Sequence, residues 1–151
     1  MLVCSPGGHL FQMLALAPAY RDRERVWATY PSTDVEHLLA DERVVYAHGP
    51  THRSLKMAVK NLRVAWRAVR AHEPEAIVST GAALAVPFFL VGRLLGKRLI
   101  YVESVTRVNG LSLSGKLVLP LSNVVFVQWP SARVRLLLRS LRRVRHAGSV
   151  L

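Results

Sequence analysis

Three short segments of this 151-residue chain carry residue types and spacings that could do chemistry. The first is Cys4-Ser5-Pro6-Gly7-Gly8-His9-Leu10. Paired glycines let a backbone turn tightly and approach a ligand closely, and the N–H groups that open a following helix favour an anion such as a diphosphate. His9 then falls in the first helical turn, where the positive dipole end suits a neutral imidazole acting as general base. The spacing is neither the G-x-G-x-x-G of dinucleotide folds nor a P-loop. The competing reading is an ordinary turn in which Gly7 and Gly8 only permit the backbone path and His9 hydrogen-bonds a neighbouring loop. The second segment, Val78-Ser79-Thr80-Gly81-Ala82, offers hydroxyls and N–H groups to an anion or a sugar, or else caps a helix through Ser79 or Thr80. The third, Tyr101-Val102-Glu103-Ser104, feeds a long polar connection containing Thr106, Arg107, Asn109, Gly110 and Ser112. A carboxylate there could act on a ligand, or could order the loop by accepting backbone N–H groups.

Elements that can position these segments follow from the hydrophobic pattern. Strands are predicted at 1–4, 25–30, 43–47, 76–79, 98–102, 123–128 and 143–147, and helices at 9–20, 33–40, 54–71, 82–95, 113–119 and 131–141. Strict strand–helix alternation with Val/Ile/Leu-rich strands predicts an α/β fold: a Rossmann-like, doubly wound parallel sheet covered on both faces. Such a sheet places ligands at the carboxyl ends of its strands, which is where all three segments fall. The length fits one domain over residues 1–151.

Charge narrows the partners. Lys and Arg number 21 against 9 Asp and Glu, a formal net charge of +12, so an anionic partner is expected. In the helix predicted at 54–71, Lys56, Lys60, Arg63, Arg67 and Arg70 share a face, while Leu55, Val59, Leu62, Trp66 and Val69 form the adjoining stripe that should be buried. The cationic face is either a solvated helix side or a contact for anionic headgroups. The segment 82–92, AALAVPFFLVG, is apolar all round and reads as a core helix, with Pro87 a source of a kink. Arg133, Arg135, Arg139, Arg142, Arg143 and Arg145 make a second basic run. Cys4 is the lone cysteine and no spaced Cys/His set exists, so neither disulfide, metal nor other cofactor is expected. No window is long and apolar enough to span a bilayer, and no signal-peptide n-region is present, which predicts a soluble or peripheral protein that is not exported.

The run CSPGGHL, then VSTGAALAVPFF, YVESVTRVNGLSLSGK and FVQWP resembles, in order and over almost the whole chain, the acceptor-binding subunit of split GT-B glycosyltransferases. This is the asparagine-linked-glycosylation subunit family, number fourteen of its pathway, with its bacterial exopolysaccharide relatives. More distantly the segments resemble the N-terminal half of the peptidoglycan GlcNAc transferase. The resemblance implies a single GT-B N-terminal-type domain that binds a lipid-diphosphate-linked saccharide acceptor and recruits a separate donor-binding, UDP-sugar-using subunit, without which it is inactive. It implies catalytic roles for His9 and Glu103 and acceptor contacts from Ser5, Gly7, Gly8, Ser79, Thr80, Gly81 and Asn109. Eukaryotic members of that family carry a hydrophobic N-terminal anchor, whereas this chain begins at its first strand. Peripheral attachment to the cytoplasmic face of an anionic membrane is therefore expected through Lys56, Lys60, Arg63, Arg67 and Arg70. Two other functions compete. A basic nucleic-acid-binding module would explain the charge, but no aromatic-stacking motif or recognition helix supports it. A stand-alone Rossmann-type nucleotide-binding enzyme lacks both its glycine fingerprint and a ribose-binding acid after the second strand.

Overall fold

A computed structural model describes residues 1–49, 55–131, 143–146, 148 and 149, with only the backbone of residues 55 and 56. Seven strands, β1 (Leu2–Val3), β2 (Trp27–Thr29), β3 (Val44–Tyr46), β4 (Ala76–Ser79), β5 (Arg98–Val102), β6 (Val124–Val127) and β7 (Val144–His146), form one sheet in the order β3-β2-β1-β4-β5-β6-β7. Every pairing is parallel. The order reverses between β1 and β4, which opens a crevice at their carboxyl ends. The helices are α1 (Gly8–Ala15), α2 (Thr33–Leu38), α3 (Leu55–His72), α4 (Ala85–Leu94) and α5 (Leu113–Val118).

Strand alternation sends successive side chains to opposite faces. Leu2, Cys4 and Trp27 pack with Leu10 and Met13 of α1 and Val35 and Leu39 at α2. Val3, Ala28, Ile77, Leu99, Tyr101 and Val125 pack instead with Ala65, Ala68 and Val69 of α3, Phe88 and Phe89 of α4 and Val118 of α5. The doubly wound arrangement is thus two apolar layers on one sheet. Gly92 lets α4 lie flat on it, because a Cβ there would stand 2.7 Å from both Ile77 and Leu99 side chains.

Several boundaries differ from expectation, each for a local reason. The helix predicted at 9–20 ends at Ala15, and a 3-10 turn at Ala17–Ala19 follows, with Pro18 unable to donate the next helical bond. The helix predicted from 82 begins at Ala85, because Gly81 and Ala82 have φ of 127° and 66°, outside helical space. Pro87 therefore sits in the first turn of α4, where its missing N–H costs nothing. On α3 the expected buried stripe is wrong at two positions: Val59 and Trp66 are 55% and 42% exposed. The side facing the sheet is centred on Asn61, Ala65, Ala68 and Val69 instead, where small side chains let α3 approach both the sheet and α4. Of the helix predicted at 131–141, residues 132–141 lie outside the described residues, and with them Arg133, Arg135 and Arg139; Arg142 lies outside them too.

Cys4 directly follows β1, at the start of the connection to the first glycine turn, and is fully buried. Burial, and secondarily the Asp34 carboxylate, push its thiol from about 9 up to about 12. An acid whose folded pKa is raised keeps its contribution to stability below the unfolded value and loses it as pH rises through the folded one. Stability should hold up to about pH 9 and then decline towards pH 12, and Cys4 should resist alkylation at pH 8 until the chain unfolds. Rapid alkylation of the native chain would contradict this burial.

Candidate functional site at the carboxyl edge of the sheet

The three segments meet at the carboxyl edge. Between β1 and α1, Gly7 adopts a φ of 74°, a left-handed conformation natural to glycine, and His9 follows in the first turn of α1. Across the switch point, Thr80 and His9 hold each other twice. The Thr80 hydroxyl donates to the His9 carbonyl at 2.7 Å, and His9 Nδ1 lies 2.9 Å from the Thr80 carbonyl. A carbonyl only accepts, so this bond places the ring proton on Nδ1 and leaves the lone pair of the neutral imidazole on Nε2. The ring rests over Gly81: a Cβ there would stand 2.7 Å from His9 Cε1 and 2.9 Å from Nδ1. Thr80 therefore clamps the neighbouring turn instead of capping α4, and the Ser79 hydroxyl accepts the Gly81 N–H at 3.2 Å.

The first turn is not an empty anion cradle. The Gly7 N–H donates to Asp34 Oδ2 at 2.8 Å, and the Ser32 hydroxyl donates to the other carboxylate oxygen. These two bonds, that of Ser32 first, hold the Asp34 carboxyl below its ordinary pKa. An incoming anion would meet that carboxylate at Gly7. The N–H groups of Gly8, His9 and Leu10 have no acceptor within α1 and are the ones oriented for a ligand.

Glu103 follows β5 and is 1% exposed. Its Oε1 accepts the Ser104 N–H at 2.9 Å, and its Oε2 accepts the Ser112 N–H at 2.8 Å and the Ser112 hydroxyl at 3.1 Å. Ser112 in turn caps α5 by accepting the Gly115 N–H at 3.0 Å. With its proton committed to Glu103, the Ser112 hydroxyl receives that of Tyr101 at 3.3 Å. Burial first, then the Glu103 charge, push the Tyr101 phenol well above its ordinary range, which keeps that donor protonated. The carboxylate thus ties both ends of the 104–112 connection together, the ordering role left open by the sequence. Asn109 and Arg107 are exposed on this connection, whereas Glu103 is buried beneath it. Glu103→Gln replaces one accepting oxygen by an NH2 that faces a donor, at a cost of about 1–3 kcal/mol. Its melting temperature should fall and tryptic cleavage at Arg107 should accelerate; unchanged melting and cleavage would mean that the carboxylate does not hold the loop.

Four more side chains complete the site: Gln128 and Trp129 of the FVQWP run, and Gln12 and Asp34, which pattern reading passed over. Gln12 Nε2 and Gln128 Nε2 both donate to the Glu103 carbonyl, at 3.0 and 2.9 Å. Trp129 Nε1 donates to the Val105 carbonyl at 2.6 Å, and Asp34 holds Gly7 as described. The available signal was a buried amide on an apolar helix face, Gln12 beside Met13, one turn after His9. Of the expected cationic face, Lys60, Arg63, Arg67 and Arg70 are exposed, and the side chain of Lys56 lies outside the described residues. No described helix is long and apolar enough to cross a membrane.

A family model described as "Oligosaccharide biosynthesis protein Alg14 like" matches residues 42–148. The chain is 31% identical over 160 residues to the UDP-N-acetylglucosamine transferase subunit ALG14 of Yarrowia lipolytica, a match covering 86% of this chain and 73% of that protein. It is 39% identical over 67 residues to the human protein of the same name, covering 40% of this chain and 31% of that one. Among solved structures, MurG of Acinetobacter baumannii superposes with a TM-score of 0.75 at 18% identity, over 98% of this chain and 45% of that one. The UDP-N-acetylglucosamine 2-epimerase of Rickettsia bellii gives 0.74 at 9% identity, over 99% and 44%. At such identities the two structures speak for the fold, and this chain spans a little under half the length of each.

Proposed function

Because this chain belongs to the Alg14-like family of oligosaccharide biosynthesis proteins, we propose that it is the acceptor-binding subunit of a two-chain, UDP-sugar-dependent glycosyltransferase. The observation that carries this reading is the His9–Thr80–Gly81 clamp at the switch point, which fixes an imidazole at the cleft with Nε2 as its basic nitrogen. The acceptor is a prenyl-diphosphate-linked saccharide. Its diphosphate sits against the N–H groups opening α1, near Ser5 and Gly8, and its sugar between His9 and the exposed Asn109, while Ser79, Thr80 and Gly81, buried with both hydroxyls engaged in the turn, shape that edge from beneath. Gly7 contributes its φ and its bond to Asp34 rather than a free donor. A separate chain supplies the nucleotide-sugar site and closes over this edge; the curated relatives' designation as transferase subunits supports that division.

In the reaction the acceptor hydroxyl oxygen attacks the anomeric carbon of the donor sugar. The bond from that carbon to the diphosphate oxygen breaks, and UDP leaves with the electron pair. The hydroxyl proton passes to His9 Nε2, a step that general-base catalysis accelerates by about 10² to 10⁴. Glu103, with no carboxylate oxygen facing the cleft unengaged, orders the loop that borders the acceptor. The cationic side of α3, Lys60, Arg63, Arg67 and Arg70 with Lys56 expected beside them, holds the subunit peripherally at an anionic cytoplasmic leaflet.

The test is reconstitution. The purified chain, a donor-domain chain and their mixture are each given radiolabelled UDP-N-acetylglucosamine and a prenyl-diphosphate sugar. Labelled lipid should form only in the mixture. Transfer by this chain alone, or by the donor chain alone at the full rate, would overturn the division of labour.

A further inference from the structure

Gln12 lies three positions after His9 in α1, and therefore on the same side of that helix. It is 1% exposed, and the other buried side chains of α1 are Leu10 and Met13. Its amide reaches past the switch point to the connection after β5. Nε2 donates to the Glu103 carbonyl at 3.0 Å, and Oε1 accepts the Val105 N–H at 3.4 Å. A carbonyl needs a donor and an N–H an acceptor, so the amide fits only one way round.

The first turns of α1 are thus fastened to two strand ends. His9 ties them to the turn after β4, through Thr80, and Gln12 ties them to the turn after β5. The apolar side of the helix cannot supply this precision. Leu10 and Met13 pack with Leu2, Cys4 and Trp27, and the hydrophobic effect that holds them is non-directional. Bonds to backbone atoms at the ends of paired strands do fix a direction and a distance.

Stability by itself gives Gln12 little to do. Gln128, which directly follows β6, donates its own Nε2 to the same Glu103 oxygen at 2.9 Å, so that buried carbonyl is satisfied without Gln12. A second amide brought into an apolar layer gains little net, because its own desolvation offsets most of the bond it makes. What distinguishes the two glutamines is where they are carried: only Gln12 stands on the helix of His9.

We propose that Gln12 is a positioning residue for His9. The Thr80 bond sets the tautomer and tilt of the imidazole, and the Gln12 bonds set where along the edge the helix stands, and so how far Nε2 lies from the 104–112 connection that borders the acceptor. This deepens the reading of His9 as the base of a transferase and rests on it. Proton transfer tolerates little misplacement, since a shift of about 1 Å costs on the order of a hundredfold in rate.

The test uses Gln128 as an internal control. Gln12→Leu keeps similar volume and makes neither bond, with the unbranched Gln12→Met in reserve should leucine impair folding. Gln128→Leu takes a donor from the same carbonyl, and an acceptor from the Ser149 hydroxyl, without touching α1. In the reconstituted pair Gln12→Leu should lower kcat by about ten- to a hundredfold, with KM for both substrates near wild type. Gln128→Leu should keep kcat near wild type while lowering the melting temperature at least as much. In a His9→Ala background Gln12→Leu should cost almost no further turnover, because it acts through the imidazole. One readout needs no transfer. In the whole chain with isotope-labelled histidine, the His9 Cε1–H resonance, assigned by its loss in His9→Ala, should move in Gln12→Leu and keep its place in Gln128→Leu. Equal losses of kcat in the two glutamine variants would reduce Gln12 to a tether of the loop and overturn the proposal. An undiminished cost of Gln12→Leu in the absence of His9 would overturn it too, as would an unmoved His9 resonance. If the wild-type pair transfers no sugar, the functional reading falls, while the resonance still decides whether Gln12 places the ring.

Discussion

His9→Ala should lower turnover of the reconstituted transferase by about 10² to 10⁴, the usual loss when a general base is removed, while lowering stability by only about 0.5–1.5 kcal/mol for the lost bond to Thr80. The two effects separate because the imidazole has two nitrogens with two tasks. Nδ1 is committed to the Thr80 carbonyl at 2.9 Å, a structural duty. Nε2 is the nitrogen that takes the proton. His9→Asn tells these tasks apart, since the Asn amide can reproduce the donor near Nδ1 but supplies no base. It should recover the melting temperature of the wild type and leave turnover as low as in His9→Ala. Recovery of both would reduce His9 to a clamp between two turns, and a separate base would then have to be found at the edge.

Gly81→Ala should be the most damaging single-methyl change at the site. A φ of 127° is a region that L side chains rarely adopt, costing about 1–3 kcal/mol, and the new Cβ would stand 2.7 Å from His9 Cε1 and 3.3 Å from the Tyr101 hydroxyl. The ring must move, and with it Nε2. For a chain of this size, where 1 kcal/mol moves Tm by about 2–4 °C, a fall of roughly 5–10 °C is expected, together with loss of turnover. A double-mutant cycle checks the cause. In a His9→Ala background the ring is gone and only the backbone strain remains, so Gly81→Ala should cost less there, by about 0.5–3 kcal/mol. Equal costs in both backgrounds would show that the imidazole does not rest on Gly81.

Periodicity by itself determined the architecture of this chain. The apolar runs at 76–79 and 98–102 coincide with β4 and β5 residue for residue, because Ile77 and Val78 and the stretch from Leu99 to Val102 are the continuous apolar centres that a parallel sheet covered on both faces requires. Alternation with helices then required parallel strands, and parallel strands put Gly7, Gly81 and Glu103 at one edge. The order of motifs along the chain likewise pointed to its family. What each side chain does at that edge was decided only by the tertiary structure, because it depends on partners far away in sequence. His9 and Thr80 are 71 residues apart, Gln12 and Glu103 91, and Asp34 reaches Gly7 across 27. No local pattern encodes such a bond. Its geometry is fixed when the two apolar layers dock the strands in register, and only then do an open cradle and one answered by Asp34, or a free carboxylate and one filled by Ser104 and Ser112, become different. The same holds for α3. Its sequence allows Trp66 to be buried or exposed, since a helix with apolar and basic stripes side by side can rotate by a fraction of a turn. Close packing against α4 and the sheet chose the small residues Ala65 and Ala68 for the inside and left Trp66 on the cationic face.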